Sequence, residues 1–201
     1  AMSPLGEGDV LARAHGTFQA VASAGLPILL QNAPPPHGQP LSPAQIAAVV
    51  EAQPLIQVVK EETAPSPQKV GQLVAVLRPA LEQRGGAVFG GQGGVAFFNE
   101  RAAGATGTMP GSHLCDIWVK VFDLHDAGRI AEARAVFNAM LPALMMAQVF
   151  GQPFTKECLY RRGYLPTALA RVGQAPLEPR DRAELDQIWP ALAQHFLSGT
   201  A

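Results

Sequence analysis

The sequence predicts an α/β protein in which a parallel β-sheet with helices is followed by a region of helices only. Up to about residue 111, short apolar runs alternate with amphipathic helical segments, at the spacing typical of strand, helix, strand crossover units. Beyond Gly111 only helical patterns remain. We therefore expect a sheet-containing region over residues 1–111 and a helical region over residues 112–201 of the same domain.

The first predicted strand is the apolar run at residues 26–31. Ser42 has the side chain of a helix N-cap, Pro43 suits the first helical position, and Gln45 is placed for a capping box. A helix should therefore run from there to about Ala52. The second predicted strand covers residues 55–60.

Another helix is predicted to begin near Pro65 and to stop at Gly85, with one apolar stripe along it. The stripe consists of Val70, Leu73, Val74, Leu77 and Leu81. A third strand at residues 87–90 leads into a glycine-rich turn at residues 91–94. A helix over 95–103 and a fourth strand over 104–109 follow, and later helices are predicted over 112–127, 130–150, 155–162 and 181–197.

Composition disfavours several classes of function. Charged residues make up 15% of the 201 residues and the formal net charge is −1, so no electrostatic footprint for nucleic acid or an anionic membrane is present. The apolar stretch at residues 139–150 is too short to cross a bilayer. Two cysteines in no metal-type spacing and the absence of a secretory pattern at the start favour a cytoplasmic location.

The end of the second strand carries the strongest chemical signal. Because strand side chains alternate, Lys60 and Glu62 should project to one face and Glu61 to the other. A lysine shielded from water can attack a ketone to form a Schiff base, and a carboxylate beside it can move protons. A snorkelling or salt-bridged lysine is the alternative that this segment alone leaves open.

The glycine-rich turn at residues 91–94 does not have the G-x-G-x-x-G spacing of a dinucleotide site. A tight turn that brings backbone close to a ligand explains these glycines better. The histidines form no ligand pattern with carboxylates, so we predict no metal and no cofactor.

Several segments, in order, resemble the dihydrodipicolinate synthase and N-acetylneuraminate lyase superfamily of Schiff-base barrel enzymes. The matching residues are Leu26 to Pro34, Gly38, Leu41, Val59 to Thr63, Gly90, Gly91, Ala103 to Gly107, Gln148, Lys156, Glu157, Arg162 and Gly163. The resemblance implies that Lys60 forms an imine with the keto carbon of an α-keto acid. It also implies the fold: the C-terminal half of a (β/α)8 TIM barrel, about strands 5–8, followed by a C-terminal helical region.

The sequence departs from the superfamily pattern at the end of the first strand. The aldolases of the superfamily carry a proton-relaying tyrosine in a Tyr-Asn-x-Pro motif, where this chain has Gln31, Asn32, Ala33 and Pro34. The arginine that dihydrodipicolinate synthases carry shortly after that proline is also missing. The chain most resembles the L-2-keto-3-deoxyarabonate dehydratase branch, in which the glutamate matching Glu62 is implicated in proton transfer.

The resemblance predicts a lyase that dehydrates a 2-keto-3-deoxy sugar acid, with Lys60 and Glu62 as catalytic residues. Gln31, Gly91, Gln92 and His37 are the candidate substrate-binding residues. Two alternatives stay open: a pyruvate-producing aldolase, and a truncated paralogue without catalytic activity.

The predicted partner is a small α-keto sugar acid, with no nucleic acid and no membrane. A full barrel has eight strands in about 250 residues. Because at most four strand–helix units are visible here, preceded by Ala1 to Pro4, which resembles the end of a fourth strand, we expect a partial barrel. Open sheet edges are avoided by natural chains, so we predict a fragment, a truncated gene product, or a homo-oligomer, dimer or tetramer, in which another copy completes the sheet.

Overall fold

The computed structural model describes residues 1–171 and 174–197. Within it the chain divides into two compact units, Ala1–Met109 and Pro110–Ala201, and each is described by itself. The predicted helical region includes residues 172–173 and 198–201, which lie outside the described residues.

The first unit is built on a four-stranded parallel sheet, as the alternation of apolar runs predicts. The strands are β1 (Ile28–Asn32), β2 (Ile56–Glu61), β3 (Ala87–Gly90) and β4 (Gly107–Thr108), and they pair in that order. The helices are α1 (Val10–Ala22), α2 (Pro43–Ala52), α3 (Ser66–Glu82) and α4 (Phe97–Ala102). The α/β class is therefore confirmed for this unit.

Helix α2 begins as its sequence predicts. The Gln45 N–H donates to Ser42 Oγ at 3.2 Å, and the Ser42 N–H donates to Gln45 Oε1 at 2.8 Å, which closes the capping box. Helix α3 buries its apolar stripe, since Val70, Leu73, Leu77 and Leu81 are almost completely inaccessible to solvent. These residues pack into the main core of the unit.

Helix α1 is absent from the prediction, and the fourth strand is shorter than predicted. Asp9 caps α1, because its carboxylate accepts the Leu11 N–H at 2.9 Å, and the helix buries Ala14 and Phe18. Strand β4 pairs with β3 over two residues only. At Gly107 a Cβ would lie 2.7 Å from the ring of Phe89, so a side chain there would collide with the neighbouring strand.

The strand register places the polar residues of β1 and β2 on two faces. Gln31 pairs with Lys60, which in turn pairs with Phe89, so these three side chains share one face at the same level. Asn32 pairs with Glu61 on the opposite face. The apolar core fills that second face between the sheet and the helices.

A short segment near the start of the chain extends the sheet beyond β1. Met2 forms an isolated parallel bridge with Gln31. The Ser3 N–H donates to the Gln31 carbonyl at 2.9 Å, and the Gln31 N–H donates to the Ala1 carbonyl at 2.8 Å. This segment therefore occupies the edge of β1, at the place where the resemblance expects the end of a further strand.

The described part of the second unit is helical. Its helices are α5 (Cys115–Asp126), α6 (Ile130–Phe150), α7 (Gln152–Arg161) and α8 (Pro179–Ala193). Helix α5 follows a 3₁₀ turn at Ser112–Leu114 rather than beginning at Ser112.

Helix α6 is longer than the apolar stretch at residues 139–150, which is predicted from the sequence to be too short to cross a bilayer. The whole helix is long and apolar enough to cross a membrane by length and composition alone. It nevertheless buries Ala133, Val136, Phe137, Met140, Ala143, Leu144 and Met146 within its own unit. The buried side of the helix packs against α5, α7 and α8.

A buried ion pair ties the start of this unit to the end of α7. The Arg162 guanidinium donates to both oxygens of Asp116, at 2.9 and 2.5 Å, and to the His113 carbonyl at 2.7 Å. It also stacks on Phe196, with its central carbon 4.1 Å from the ring centroid. Burial acts to raise the pKa of Asp116, but the hydrogen bonds from Arg162 outweigh it and hold the pKa below its usual range.

We expect His113 to make this unit sensitive to acid. Its side chain lies against Phe154, and within the described residues neither ring nitrogen has a hydrogen-bond partner. Burial, with the charge of Arg162, lowers the pKa of His113 to about 4. An unfolded chain protonates this histidine near pH 6.5, so between pH 6.5 and 4 the unfolded state binds more protons and stability falls as the pH falls.

The expected loss over this pH window is up to about 3 kcal/mol. Urea unfolding at several pH values measures it. The variant His113→Leu should lose less stability than the wild type across the window, whereas His37→Gln, which changes an exposed histidine, should follow the wild type. If the free energy of unfolding changed equally with pH in the wild type and in His113→Leu, this account of His113 would be wrong.

Candidate active site

The candidate site lies at the carboxyl end of β2. Lys60 lies in β2, and Glu62 is the first residue after the strand. Lys60 Nζ lies 2.8 Å from Glu62 Oε1. The two side chains are 9% and 16% exposed, respectively. They therefore project to the same face, as strand alternation predicts.

Two glutamines fix the Glu62 carboxylate. The Gln31 side-chain amide, at the end of β1, donates to Glu62 Oε2. The Gln92 backbone N–H donates to Glu62 Oε1 at 3.1 Å, and the Gln92 side-chain amide donates to the Glu62 carbonyl at 2.7 Å. The structure thus brings four of the predicted site residues together, Lys60, Glu62, Gln31 and Gln92, from three neighbouring strand ends.

These contacts decide the charge of Glu62. Burial acts to raise the pKa of this carboxyl, but the hydrogen bond and charge of Lys60 oppose it. The donors of Gln31 and Gln92 add to that opposition, and the pKa of Glu62 is lowered overall. Glu62 is therefore a carboxylate near neutral pH and can accept a proton.

Lys60 combines features of the two interpretations that its sequence segment leaves open, a lysine shielded from water and a salt-bridged lysine. The side chain is buried as expected, but its amine contacts the Glu62 carboxylate. Burial and an acceptor for its proton therefore occur together. A paired lysine can still act as a nucleophile once the proton moves to the carboxylate beside it.

The glycine-rich turn approaches protein carboxylates closely. A Cβ at Gly91 would overlap with Glu62 Cγ, and a Cβ at Gly90 would overlap with the carboxylate of Glu100. Gln92, which follows, has a positive φ of 51°. Both Gly91 and Gln92 lie next to Glu62. Their predicted contact with substrate stays a prediction.

We expect the variant Gly91→Ala to displace Glu62 and to destabilise the first unit. An added methyl group in a close-packed place costs about 1–3 kcal/mol. Thermal unfolding measures the change. Gly16→Ala is the matched control, because Gly16 lies in α1 with nothing within 4 Å of an added Cβ, and it should stabilise by about 0.5–1 kcal/mol. A Gly91→Ala variant as stable as the wild type would contradict the packing described here.

Glu61, on the opposite face of β2, belongs to a structural network. Its carboxylate accepts the Thr63 N–H at 2.6 Å and hydroxyl at 2.5 Å, and the Asn32 amide at 2.8 Å. Asn32 in turn binds both backbone groups of Leu41, at 2.8 and 3.1 Å. All the carboxylate's neighbours in this network are buried, so Asn32 and Thr63 hold the loops around the site.

Glu100 is a buried carboxylate that the sequence reasoning missed. It lies in α4, is 1% exposed, and accepts the Ser66 hydroxyl at 2.6 Å. Burial raises the pKa of Glu100 and the charges of Glu61 and Glu62 add to this, while Ser66 and the Gly91 N–H oppose it without cancelling it. The sequence offered one signal of this burial. Glu100 follows the apolar Phe97 by three residues, so the two side chains lie on the same face of the helix.

His37 is not brought into this cluster. It is exposed in the loop after β1, where its backbone N–H donates to the Pro34 carbonyl at 3.0 Å. Its predicted contact with substrate stays a prediction. Within residues 1–171 and 174–197, no group of three or more histidine, cysteine, aspartate or glutamate side chains is placed to hold a metal ion.

No protein-family model and no curated protein sequence matches the chain. Solved structures do. The dihydrodipicolinate synthase of Rhodopseudomonas palustris superimposes with a TM-score of 0.82 and 26% identity, over 95% of this chain and 64% of that one. The 4-hydroxy-tetrahydrodipicolinate synthase of Methylacidiphilum fumariolicum SolV gives a TM-score of 0.79 and 23% identity, over 96% and 63% of the two chains.

The chain has the dihydrodipicolinate synthase fold. YagE, a prophage protein of E. coli K12 from the dihydrodipicolinic acid synthase family, shares this fold with a TM-score of 0.78 and 22% identity, over 96% of this chain and 65% of YagE. These likenesses support the superfamily that the sequence resembles. The chain spans less than two thirds of the length of these dihydrodipicolinate synthase-like structures, which is consistent with a partial barrel.

Proposed function

We propose that this chain carries the Schiff-base centre of a lyase that dehydrates a 2-keto-3-deoxy sugar acid. The single observation that carries the proposal is the buried amine of Lys60 in contact with the ionised Glu62 carboxylate, at 2.8 Å. A nucleophile and a proton acceptor are thus adjacent at the carboxyl end of a parallel strand. Active sites of (β/α)8 barrels lie at this end of the strands.

The comparisons support this proposal at a coarser level. Solved structures with this fold include dihydrodipicolinate synthases, and the YagE structure contains pyruvate, an α-keto acid. A ketone next to a carboxylate is the group that a lysine amine would attack. We accordingly propose an α-keto sugar acid as partner, and a homo-oligomer in the cytoplasm as the working form.

The first step activates Lys60. Glu62 accepts a proton from the Lys60 ammonium, and the free amine attacks the C2 ketone of the substrate. Glu62 returns this proton to the carbinolamine oxygen, which leaves as water, and the resulting iminium joins Lys60 Nζ to C2. Glu62 is then a carboxylate again. Because the iminium withdraws electrons, the C3 protons become acidic.

The second step is elimination. Glu62 removes a C3 proton as general base, since it lies on the same face as Lys60, and an enamine forms. The enamine electrons expel the C4 hydroxyl, which leaves as water after taking up the proton that Glu62 removed from C3. Tautomerisation and hydrolysis of the imine then release a ketoglutarate semialdehyde-type product and return the Lys60 amine.

Dehydration is favoured over carbon–carbon cleavage because of Gln31. The tyrosine that relays protons in the aldolases of the superfamily is replaced here by a glutamine whose amide donates to Glu62. An amide cannot shuttle a proton as a phenol does. Gln31 instead orients the base that the elimination needs.

A pyruvate-producing aldolase of the same superfamily is the second candidate. The observation that favours it is the pyruvate in the structurally similar YagE. A paralogue without activity is the third, and it would retain the lysine strand but would form no covalent adduct with pyruvate.

One experiment separates these candidates. The protein is incubated with a 2-keto-3-deoxypentonate. One half of the reaction mixture is quenched with sodium borohydride, and the other half is examined for products. We expect a reduced adduct on Lys60, located by peptide mass spectrometry, and a semialdehyde product. Pyruvate as the product would establish the aldolase instead. The absence of an adduct both with this substrate and in a parallel incubation with pyruvate would refute the Schiff-base proposal.

A further inference from the structure

We infer that Glu100 is a positioning residue for the general base of this site, acting on Glu62 through the turn formed by Gly90, Gly91 and Gln92. This inference rests on the proposed function. It assigns a role to a buried acidic residue that does not contact Lys60 and that the mechanism above does not use.

The first argument is the burial of an acidic group in a fixed place. Glu100 is 1% exposed, and one of its oxygens accepts the hydroxyl of Ser66, which is itself 3% exposed at the start of α3. The second oxygen, Oε2, has no hydrogen-bond partner of regular geometry among the described residues. Burying a carboxyl group in this way opposes folding, so a compensating local role is expected.

The second argument is the shape of the turn. The backbone of Gly90 and Gly91 lies between two carboxylates, with Glu100 at the Gly90 side and Glu62 at the Gly91 side. Added Cβ atoms at the two positions would overlap with these two carboxylates, respectively. The turn therefore cannot shift toward either face without meeting one of them.

The third argument is that the same turn supplies a hydrogen-bond donor to the base. The Gln92 N–H donates to Glu62 Oε1 at 3.1 Å, and Gln92 follows the two glycines that lie against Glu100 and Glu62. Glu100 thus packs against the segment that presents a donor to the base. Loss of Glu100 would let the turn move, and an error of about 1 Å at a reacting group can cost about 100-fold in rate.

The test separates the chemistry of Lys60 from that of Glu62. Pyruvate is used as the probe: borohydride trapping reports imine formation at Lys60, and exchange of its C3 protons with deuterated water, followed by NMR, reports proton removal by Glu62. We expect Glu100→Ala to slow the exchange about 10- to 100-fold with trapping retained. Glu100→Gln, which keeps an acceptor for Ser66, should recover part of the exchange.

Two further variants distinguish a specific effect of Glu100 on the exchange rate from a general loss of stability. Phe97→Leu alters another buried residue of α4, and it should keep the exchange rate of the wild type. If Glu100→Ala does not fold, Ser66→Ala removes only the hydroxyl donor, and it should slow the exchange several-fold.

The outcomes of this experiment are distinguishable. Equal exchange in the wild type and in the Glu100 or Ser66 variants would overturn the inference about Glu100 and leave the proposed function standing. An equal decrease in Phe97→Leu would also overturn it. A wild-type protein that is not trapped at all would refute the proposed function itself.

Discussion

Substitution of Lys60 by methionine is expected to abolish the covalent adduct with pyruvate and to remove catalysis. The amine is the only group of the site that can bond to a ketone carbon, and methionine keeps an unbranched side chain of similar length without it. Removal of a catalytic nucleophile typically costs on the order of 10⁴- to 10⁶-fold in kcat. Peptide mass spectrometry after borohydride quenching, together with a product assay, measures both effects.

The matched control for this variant is Lys120→Met, which changes an exposed lysine of α5 in the same way. Its adduct yield and rate should equal those of the wild type. An adduct that persists in Lys60→Met, at any other lysine, would show that the nucleophile had been assigned wrongly.

Substitution of Glu62 by glutamine is expected to separate imine formation from the later proton transfer. The amide keeps the shape of the side chain but cannot accept the C3 proton, so the rate of product formation should fall about 10²- to 10⁴-fold. Borohydride trapping at Lys60 should persist, with water in place of Glu62 as the acceptor of the proton from the amine. Rates from steady-state kinetics and the yield of the adduct against pH are the measurements.

Glu82→Gln provides the control for Glu62→Gln, because Glu82 is an exposed glutamate at the end of α3. It should have wild-type rates. If Glu62→Gln retained the full rate, another group would be the base, and the pairing of Lys60 with Glu62 would be structural.

Local rules predicted the elements that position the site. The capping box at Ser42 and the apolar stripe of α3 both occur in the structure, since each depends on contacts within a few residues. Strand alternation alone placed Lys60 and Glu62 on one face. These three features need no knowledge of the tertiary fold.

The contacts between distant segments could not be predicted in the same way. Ser66 meets Glu100 across 34 residues of sequence, and Gln31 meets Glu62 across 31, so neither pair has a local signal. Helix α1 was missed although Asp9 offered an N-cap, because its buried face is narrow, with Ala14 and Phe18 as its buried residues.

The two glycines at the end of β3 have an evolutionary consequence. Their missing side chains leave the space that Glu62 and Glu100 occupy, so the small and the acidic residues are complementary in volume. A substitution that adds a side chain at either glycine requires a shorter residue in place of the facing glutamate, or passes through a destabilised intermediate sequence. Inheritance at these four positions should therefore be strongly epistatic, with residues 90 and 100 changing together and residues 91 and 62 changing together.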